Sequence, residues 1–370
     1  MEAVSEDRSS RFAGWPRAAA VGLLIALAAL IALGLWQSPD PTSARPASGD
    51  NDLALYRAVV DRVRDGEAYE PAAIAEQRAR DFPLKPFVVV RPPALAIALS
   101  HLPDEKTGGL VLALLAGGVI AAWTWRLRLV RSGQVWLAVT AMVLFTGVGM
   151  SMGGGGASLF HEAWAGLLIA LSLGLRTEKR FAAAVLVGLL AAVTRELAMP
   201  YLAVMALLAL MERRRLEAAS FAAALGLALA LLALHARAVM SLVRPEDLAS
   251  NGWVRLGGWA FVLQTGRWNL LVMLVGSSSA ALILPLALIG AAGWKTSTGL
   301  RLATLLLGYT LGFMAIGRPE NNYWGLVIAP LVAVGLCLAP TALGELIRGA
   351  VGANRARPNE NAAAADRALS

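Results

Sequence analysis

The sequence has very little of the chemistry that disulfides and zinc sites need. Cys337 is the only cysteine of the 370 residues, and there are only 3 histidines. A lone thiol in an apolar run has no disulfide partner, and this set of side chains makes no plausible zinc site. Charged residues are also scarce, at 16% of the chain. So low a charged fraction is atypical of a soluble protein.

Long apolar runs take the place of the missing charge. Hydrophobic residues make up 57% of the chain, and the mean hydropathy is +0.61. About 20 apolar residues cross a bilayer core, so these runs predict an all-α polytopic membrane protein with about ten transmembrane helices. The predicted spans are 17–36, 108–125, 134–150, 157–175, 181–194, 198–211, 217–235, 269–293, 300–317 and 323–346. We expect one integral membrane domain over 1–352 and a disordered cytoplasmic tail over 353–370.

The positive charge of the chain predicts its orientation. The net charge is +8, which in a soluble protein would suggest a nucleic-acid partner. With the N-terminus inside, however, the basic clusters at 126–131, 176–180 and 212–215 all lie on the cytoplasmic side. This is the distribution that the positive-inside rule describes. We therefore expect no nucleic-acid partner, and a bacterial inner-membrane protein with both termini in the cytoplasm.

The segment 181–211 is the weakest part of this topology. Two short apolar runs flank Arg195 and Glu196 there, and they could form one interrupted helix. Basic clusters at both ends require the chain to return to the same side, so we predict a helical hairpin. Pro200 favours a break at this position.

The only long hydrophilic stretch, 37–107, lies between the first two spans on the predicted outer side. It contains Asp50 and Asp52, followed by an amphipathic helix predicted over 53–64 and ended by Gly66. A second short helix is predicted over 71–79, from Pro71, and 94–100 is expected to lie along the membrane interface. Two interpretations of Asp52 are open: an N-cap for the first of these helices, a role that Asp50 could also serve, or a catalytic carboxylate in a D-x-D pattern.

Other ionisable residues map to the same predicted outer side, where charges at membrane depth invite a functional explanation. Each also has a structural alternative. Arg195 and Glu196 could simply pair with each other, and Arg318 and Glu320 could pair across Pro319. Glu162 could be a first-turn carboxylate favoured by the helix dipole, and the preceding His161 is interpreted as an interfacial residue. Arginine is nevertheless the side chain best suited to hold a phosphate.

A family resemblance accompanies these features. The chain resembles the GT-C superfamily of membrane glycosyltransferases, and is most similar to bacterial relatives of polyprenyl-phosphate-mannose-dependent mannosyltransferases. The matching segments are GDNDLALYRAVVDRVRDGEAY, KPFVVVRPPALA, HEAWAGLLIALSLGLR, TRELAMPYL and RPENNYWG. Larger members of that family carry a soluble domain after the last span, and none is expected from the residues after the last span here. Acceptor recognition is therefore expected from the outer loops.

The resemblance implies a set of site residues. The acidic motif of the first outer loop falls on Asp52 and Asp50, which would act at the reaction centre. The residues with the chemistry to hold the donor phosphate are Arg195, Arg91 and Arg318. Supporting roles fall on Glu162, Glu196, Tyr56 and Glu320. No cofactor is required by this chemistry, although Asp50 and Asp52 could bind Mg²⁺ or Mn²⁺.

The leading hypothesis is thus transfer of a sugar, with mannose as the candidate, from a polyprenyl-phosphate donor to a glycan or lipid acceptor at the periplasmic face. A multi-pass transporter is one alternative, although paired halves and midplane ionisable sites are not evident. A non-catalytic protein of lipid or glycan assembly is the other. Turnover of a lipid-linked sugar would distinguish the first hypothesis from both.

Overall fold

The computed structural model describes residues 10–38, 49–130, 133–152, 156–250 and 255–352, with side chains described from 52 onward in the second range. The side chain of Asp50 and the predicted tail 353–370 lie outside the described part. The described residues form α-helices joined by short 3-10 helices and loops. The α-helices are α1 Arg17–Gln37, α2 Gly49–Arg64, α3 Tyr69–Ala79, α4 Ala94–Ser100, α5 Glu105–Leu127, α6 Gln134–Val148, α7 His161–Leu175, α8 Ala182–Thr194, α9 Met199–Met211, α10 Arg215–Leu242, α11 Gly258–Thr265, α12 Leu270–Val275, α13 Ala280–Gly293, α14 Ser297–Ile316 and α15 Gly325–Ala350.

The apolar helices confirm the class of an all-α membrane protein. By length and composition, six helical segments of the described chain could cross a membrane. They are Arg17–Gln37, Glu105–Leu127, Gln134–Met152, Arg215–Leu242, Ser297–Ile316 and Pro319–Ala350. Shorter apolar helices fill most of the remaining predicted runs, among them α7 and α8.

Two local predictions were wrong. The run 269–293 is not one helix, because Gly276 adopts a φ of +114°, which ends α12 before α13 begins. Glycine reaches such a φ at little cost. In the predicted hairpin the break lies at Arg195, whose backbone is extended (φ −151°, ψ 122°), and not at Pro200. Pro200 instead lies in the first turn of α9. Backbone nitrogens there have no hydrogen-bond partner within the helix, so a proline costs no hydrogen bond.

The bundle is most tightly packed where α13 meets α15. A Cβ on Gly290 would collide with the carbonyl oxygen of Gly335, so the two backbones touch at this crossing. Small residues allow such close approach between membrane helices. Most of α15 is buried, which makes it the central helix of the bundle.

Residues 49–104 form a separate layer, which we call the cap. Its helices α2, α3 and α4 share an apolar cluster that includes Leu55, Val59 and Ile74 and that rests on Leu159 and Val239 of the bundle. The amphipathic pattern predicted α2 and Pro71 predicted α3, although both helices begin earlier than predicted, at Gly49 and Tyr69. Gly66 has the positive φ of +95° expected of a C-cap glycine.

The cap defines one end of the bundle. The helices α7, α9 and α15 begin beneath it, and α8 and α14 end there. We call this the cap end and the other the opposite end. Arg78 fastens the cap to the loop after α10 by donating from Nε to Oδ1 of Asp247 at 2.7 Å and from Nη2 to Oδ2 at 2.8 Å.

Candidate functional site

The predicted site residues of the cap and the bundle meet in one place, centred on Arg91. Its Nε donates to the hydroxyl of Tyr56 at 3.1 Å, and its Nη2 donates to the hydroxyl of Tyr323 at 2.7 Å. Tyr56 belongs to α2 of the cap, while Tyr323 precedes α15 of the bundle. The hydroxyl of Tyr69 also donates to the backbone oxygen of Arg91 at 2.7 Å. The guanidinium is therefore fixed by groups from both layers.

No described residue forms an ion pair with Arg91 or a hydrogen bond with its Nη1. Burial lowers the pKa of Arg91, but Tyr323, Tyr56, Glu162 and Glu196 more than offset this, so carboxylates balance its charge from a distance and not by contact. Tyrosine hydroxyls orient a guanidinium without neutralising it. Five N–H donors in a rigid fork then leave capacity for an oxyanion.

Arg195 lies in the same region but is already paired. It is completely buried, and its Nε donates to Oε1 of Glu162 at 2.6 Å. Its Nη1 donates to Oε1 of Glu196. The pairing of Arg195 with Glu196 that was one alternative is therefore present, together with a more distant partner, Glu162, while its role with a phosphate stays a prediction. The neighbour can reach it because Arg195 is extended between α8 and a 3-10 helix, not on a helix.

This pairing leaves unused bonding capacity in the protein interior. In the described structure Oε2 of Glu162, Oε2 of Glu196 and Nη2 of Arg195 are buried and have no hydrogen-bond partner. Buried polar atoms in native proteins are nearly always satisfied, so each such atom calls for an explanation such as a bound ligand or water.

Asp52 completes the site from the first turn of α2. Because the helix begins at Gly49, Asp52 is not its N-cap, and the capping alternative for Asp52 is wrong. Burial raises the pKa of the Asp52 carboxyl to about 6, with Arg91 opposing this rise and Glu162 adding to it. A carboxylate with this pKa is deprotonated near neutral pH yet basic enough to accept a proton.

Sequence reasoning missed two members of this site. His161 is not interfacial: it is only 3% exposed, lies edge-on to the ring of Tyr56 at 5.4 Å and has no hydrogen bond from either ring nitrogen in the described structure. Tyr323 lies in the segment RPENNYWG, which pointed to Arg318 and Glu320 instead. Its position in that segment, directly before the buried helix α15, could have indicated Tyr323 as a site residue. We call the whole group the cap-end cluster: Asp52, Tyr56, Arg91, His161, Glu162, Arg195, Glu196 and Tyr323.

Arg318 and Glu320 lie at the edge of this region. Nε of Arg318 is 3.4 Å from Oε2 of Glu320, so the loop ion pair that was one alternative for them is present. Arg318 also donates to the hydroxyl of Ser250 at 3.3 Å. Its role with a phosphate stays a prediction. The predicted role of Asp50 falls on a side chain outside the described residues.

The described residues contain no group of three or more His, Cys, Asp or Glu that could hold a metal ion. The predicted option of Mg²⁺ or Mn²⁺ at Asp50 and Asp52 involves the undescribed side chain of Asp50. Next to the cluster, Tyr56, Arg91 and His161 line the inner end of a narrow apolar cavity beneath the cap, of about 20 Å³. A cavity of this size holds about one water.

No family model, curated protein or solved structure matches the chain. Because a fold hosts many functions, function has to be inferred from the chemistry of the cap-end cluster itself. That cluster combines a proton acceptor, a cation that no described carboxylate contacts and unsatisfied buried polar atoms.

Proposed function

We propose that the protein is a glycosyltransferase that moves a sugar from a polyprenyl-phosphate donor to a hydroxyl of a glycan or lipid acceptor. One observation carries this proposal: the half-buried Asp52, with its raised pKa, lies within the electrostatic reach of Arg91 at the cap end of the bundle. A base beside a phosphate-binding cation is the pair that such a transfer needs.

In the proposed reaction Asp52 is the general base. Its carboxylate accepts the proton of the acceptor hydroxyl as that oxygen forms a bond to the anomeric carbon of the donor sugar. The bond between this carbon and the phosphate oxygen breaks, and the electron pair leaves with the lipid phosphate. No redox partner is needed, and no step passes through a metal.

Arg91 is the principal holder of the donor phosphate in this proposal. Its Nη1 forms no hydrogen bond with a described residue, and Glu162 and Glu196 act on it only from a distance, whereas both carboxylates contact Arg195 directly. Arg195 contributes its unpartnered Nη2 and is itself positioned by Glu162 and Glu196. Arg318 remains a candidate for a second contact with the phosphate.

The proposal also covers how the chain crosses the membrane. We infer that ten spans cross the inner membrane of a bacterium, that the cap faces the periplasm, and that both termini are cytoplasmic. The alternation of helices between the cap end and the opposite end supports this arrangement. The basic residues of 212–215 and 176–180 all lie at the opposite end, as the positive-inside rule requires of the cytoplasmic side.

The test is turnover by purified protein of a labelled polyprenyl-phosphate mannose with a cell-envelope glycan extract as acceptor. We expect transfer by the wild type and a loss of roughly a thousandfold in Asp52→Asn, the size of effect seen for general bases. Asp65→Asn, an exposed cap residue, is the matched control and should keep full activity. Full activity in a folded Asp52→Asn protein would overturn the assignment.

A further inference from the structure

The backbone that carries Arg91 cannot form the hydrogen bonds of a regular helical turn. Pro92 and Pro93 follow Arg91 directly. In such a turn they would donate to the carbonyls of Val89 and Val90, but a proline has no backbone N–H. Val90 is only 1% exposed, and buried carbonyls are nearly always hydrogen-bonded. Other donors are therefore needed beside Arg91.

Three side chains supply a donor to three successive carbonyls. The bonds run from Nε2 of Gln77 to the oxygen of Val89 at 3.2 Å, from Nε2 of His235 to that of Val90 at 3.1 Å, and from the hydroxyl of Tyr69 to that of Arg91 at 2.7 Å. A carbonyl oxygen only accepts, so Nε2 of His235 carries a proton. The backbone at and before Arg91 is thus attached at three consecutive points.

His235 differs from the other two donors in where it comes from. Gln77 and Tyr69 belong to α3 of the cap, whereas His235 lies on α10 of the bundle. Bonds from α3 fix this backbone relative to the cap alone. Of the three bonds, the one from His235 is the one that fixes it relative to the bundle, which supplies Tyr323 and Arg195 to the cap-end cluster.

The ring of His235 is itself held in one orientation. The side chain is only 5% exposed, and its ring centroid lies 6.1 Å from that of Tyr69. Its second nitrogen, Nδ1, is 3.4 Å from Oε1 of Glu70 on α3. Turning the ring over would replace both nitrogens by carbons and lose both contacts. His235 is therefore a fixed donor whose two nitrogens are already engaged.

We propose that His235 is a positioning residue, which sets the place of the Arg91 guanidinium in the cap-end cluster through the carbonyl of Val90. The inference rests on the proposed function, in which Arg91 holds the donor phosphate. His235 itself contacts no substrate in this role. A displacement of about 1 Å in a group that holds a substrate is enough to slow a reaction strongly.

The kinetic test separates the two ring nitrogens. The amide nitrogen of a glutamine reaches the position of Nε2, and that of an asparagine the position of Nδ1. His235→Gln thus keeps a donor for Val90, whereas His235→Asn keeps one only for Glu70. His101→Asn, a change of an exposed histidine of the cap, is the matched control.

The donor KM is the quantity that should respond. With polyprenyl-phosphate mannose as donor, His235→Asn should raise the donor KM roughly tenfold and leave the acceptor KM unchanged. His235→Gln should stay close to the wild type, and the control should change neither constant. Equal donor KM values for His235→Asn and His235→Gln would overturn the assignment.

Hydrogen exchange of the purified protein tests the same bond without turnover. The amides of Val89, Val90 and Arg91 should exchange roughly tenfold faster in His235→Asn than in the wild type or His235→Gln, because the segment has lost an attachment. Equal exchange in the three proteins, or equally faster exchange throughout α15, would also overturn the inference. If only this segment responds and the wild type transfers no sugar, the proposed function fails while the placement of Arg91 by His235 stands.

Discussion

The two ends of the bundle each bury a cluster of ion pairs, and the carboxylates of the two clusters differ in how many of their oxygens accept hydrogen bonds. At the opposite end Arg176 and Arg301 are both fully buried, as Arg195 is at the cap end. Arg176 donates from Nε and Nη2 to Glu217 at 2.5 and 3.2 Å and from Nη1 to Ser297 at 3.0 Å. At this end both oxygens of each carboxylate, Glu212 and Glu217, accept hydrogen bonds.

The carboxylates make the contrast clearest. Glu217 accepts from both Arg176 and Arg214, and Glu212 accepts from two nitrogens of Arg301, at 2.7 and 2.9 Å. At the cap end, by contrast, Glu162 and Glu196 each leave one oxygen without a partner in the described structure. Each end also has a buried guanidinium nitrogen without a partner in the described structure, Nε of Arg301 at the opposite end and Nη2 of Arg195 at the cap end, so the difference lies in the carboxylates. Fully paired carboxylates hold helices together, whereas buried carboxylate oxygens without a partner call for a ligand or water. Burial of charge alone therefore does not mark a functional site.

The largest expected effect is at the opposite end. Glu217→Ala removes the carboxylate that is hydrogen-bonded to Arg176 and Arg214 and leaves Arg176 only Glu212 at 3.7 Å, which should lower the free energy of unfolding by about 3–5 kcal/mol. Thermal unfolding of the purified protein in detergent measures this loss. Glu178→Ala, an exposed carboxylate at the same end, should leave the melting temperature unchanged. Equal melting temperatures for both variants would show that the opposite-end cluster does not stabilise the bundle.

A smaller effect, of a different kind, is expected from the corresponding change at the cap end. Glu162→Gln leaves Arg195 its partner Glu196, so the free energy of unfolding should fall by less than about 1 kcal/mol. Because the amide no longer fixes the guanidinium as firmly, sugar transfer should fall by about a hundredfold. Glu162→Asp should restore part of this activity, as expected of a positioning residue. A melting temperature as low as that of Glu217→Ala would erase the distinction between the two clusters.

The smallest expected effect is a displacement of a pH profile. Asp52 acts as a base only when deprotonated, so kcat/KM should fall as the pH drops through about 6. Arg91 lowers the pKa of Asp52, and removing its charge in Arg91→Gln should move this acidic limb upward by about one pH unit. Arg80→Gln, on the exposed side of the cap, should leave the limb in place. A limb that moves downward would contradict the proposed pairing of Asp52 with Arg91.

Local features of the fold could be predicted from the sequence, but long-range pairing could not. The amphipathic pattern of 53–64 and the glycine after it are written in adjacent residues, and the structure contains that helix and its C-cap. The partner of Arg195 is 33 residues away, and no local pattern indicates it. Arg176 and Arg301 were expected among the cytoplasmic loop charges, yet both are buried. A signal for this existed, since Glu212 and Glu217 flank the basic run of 213–215.

The way in which the cap is fastened has a consequence for the order in which parts of the molecule open. Its links at the rim, Arg57 to Glu105 and Arg78 to Asp247, involve arginines whose side chains are 48% and 32% exposed. Such pairs contribute up to about 1 kcal/mol each. The cap also has an apolar cluster largely of its own. We therefore expect release of the cap as a unit to cost less free energy than separation of the bundle helices, so that a lipid-sized molecule would reach Asp52 and Arg91 while α7, α8 and α9 stay folded.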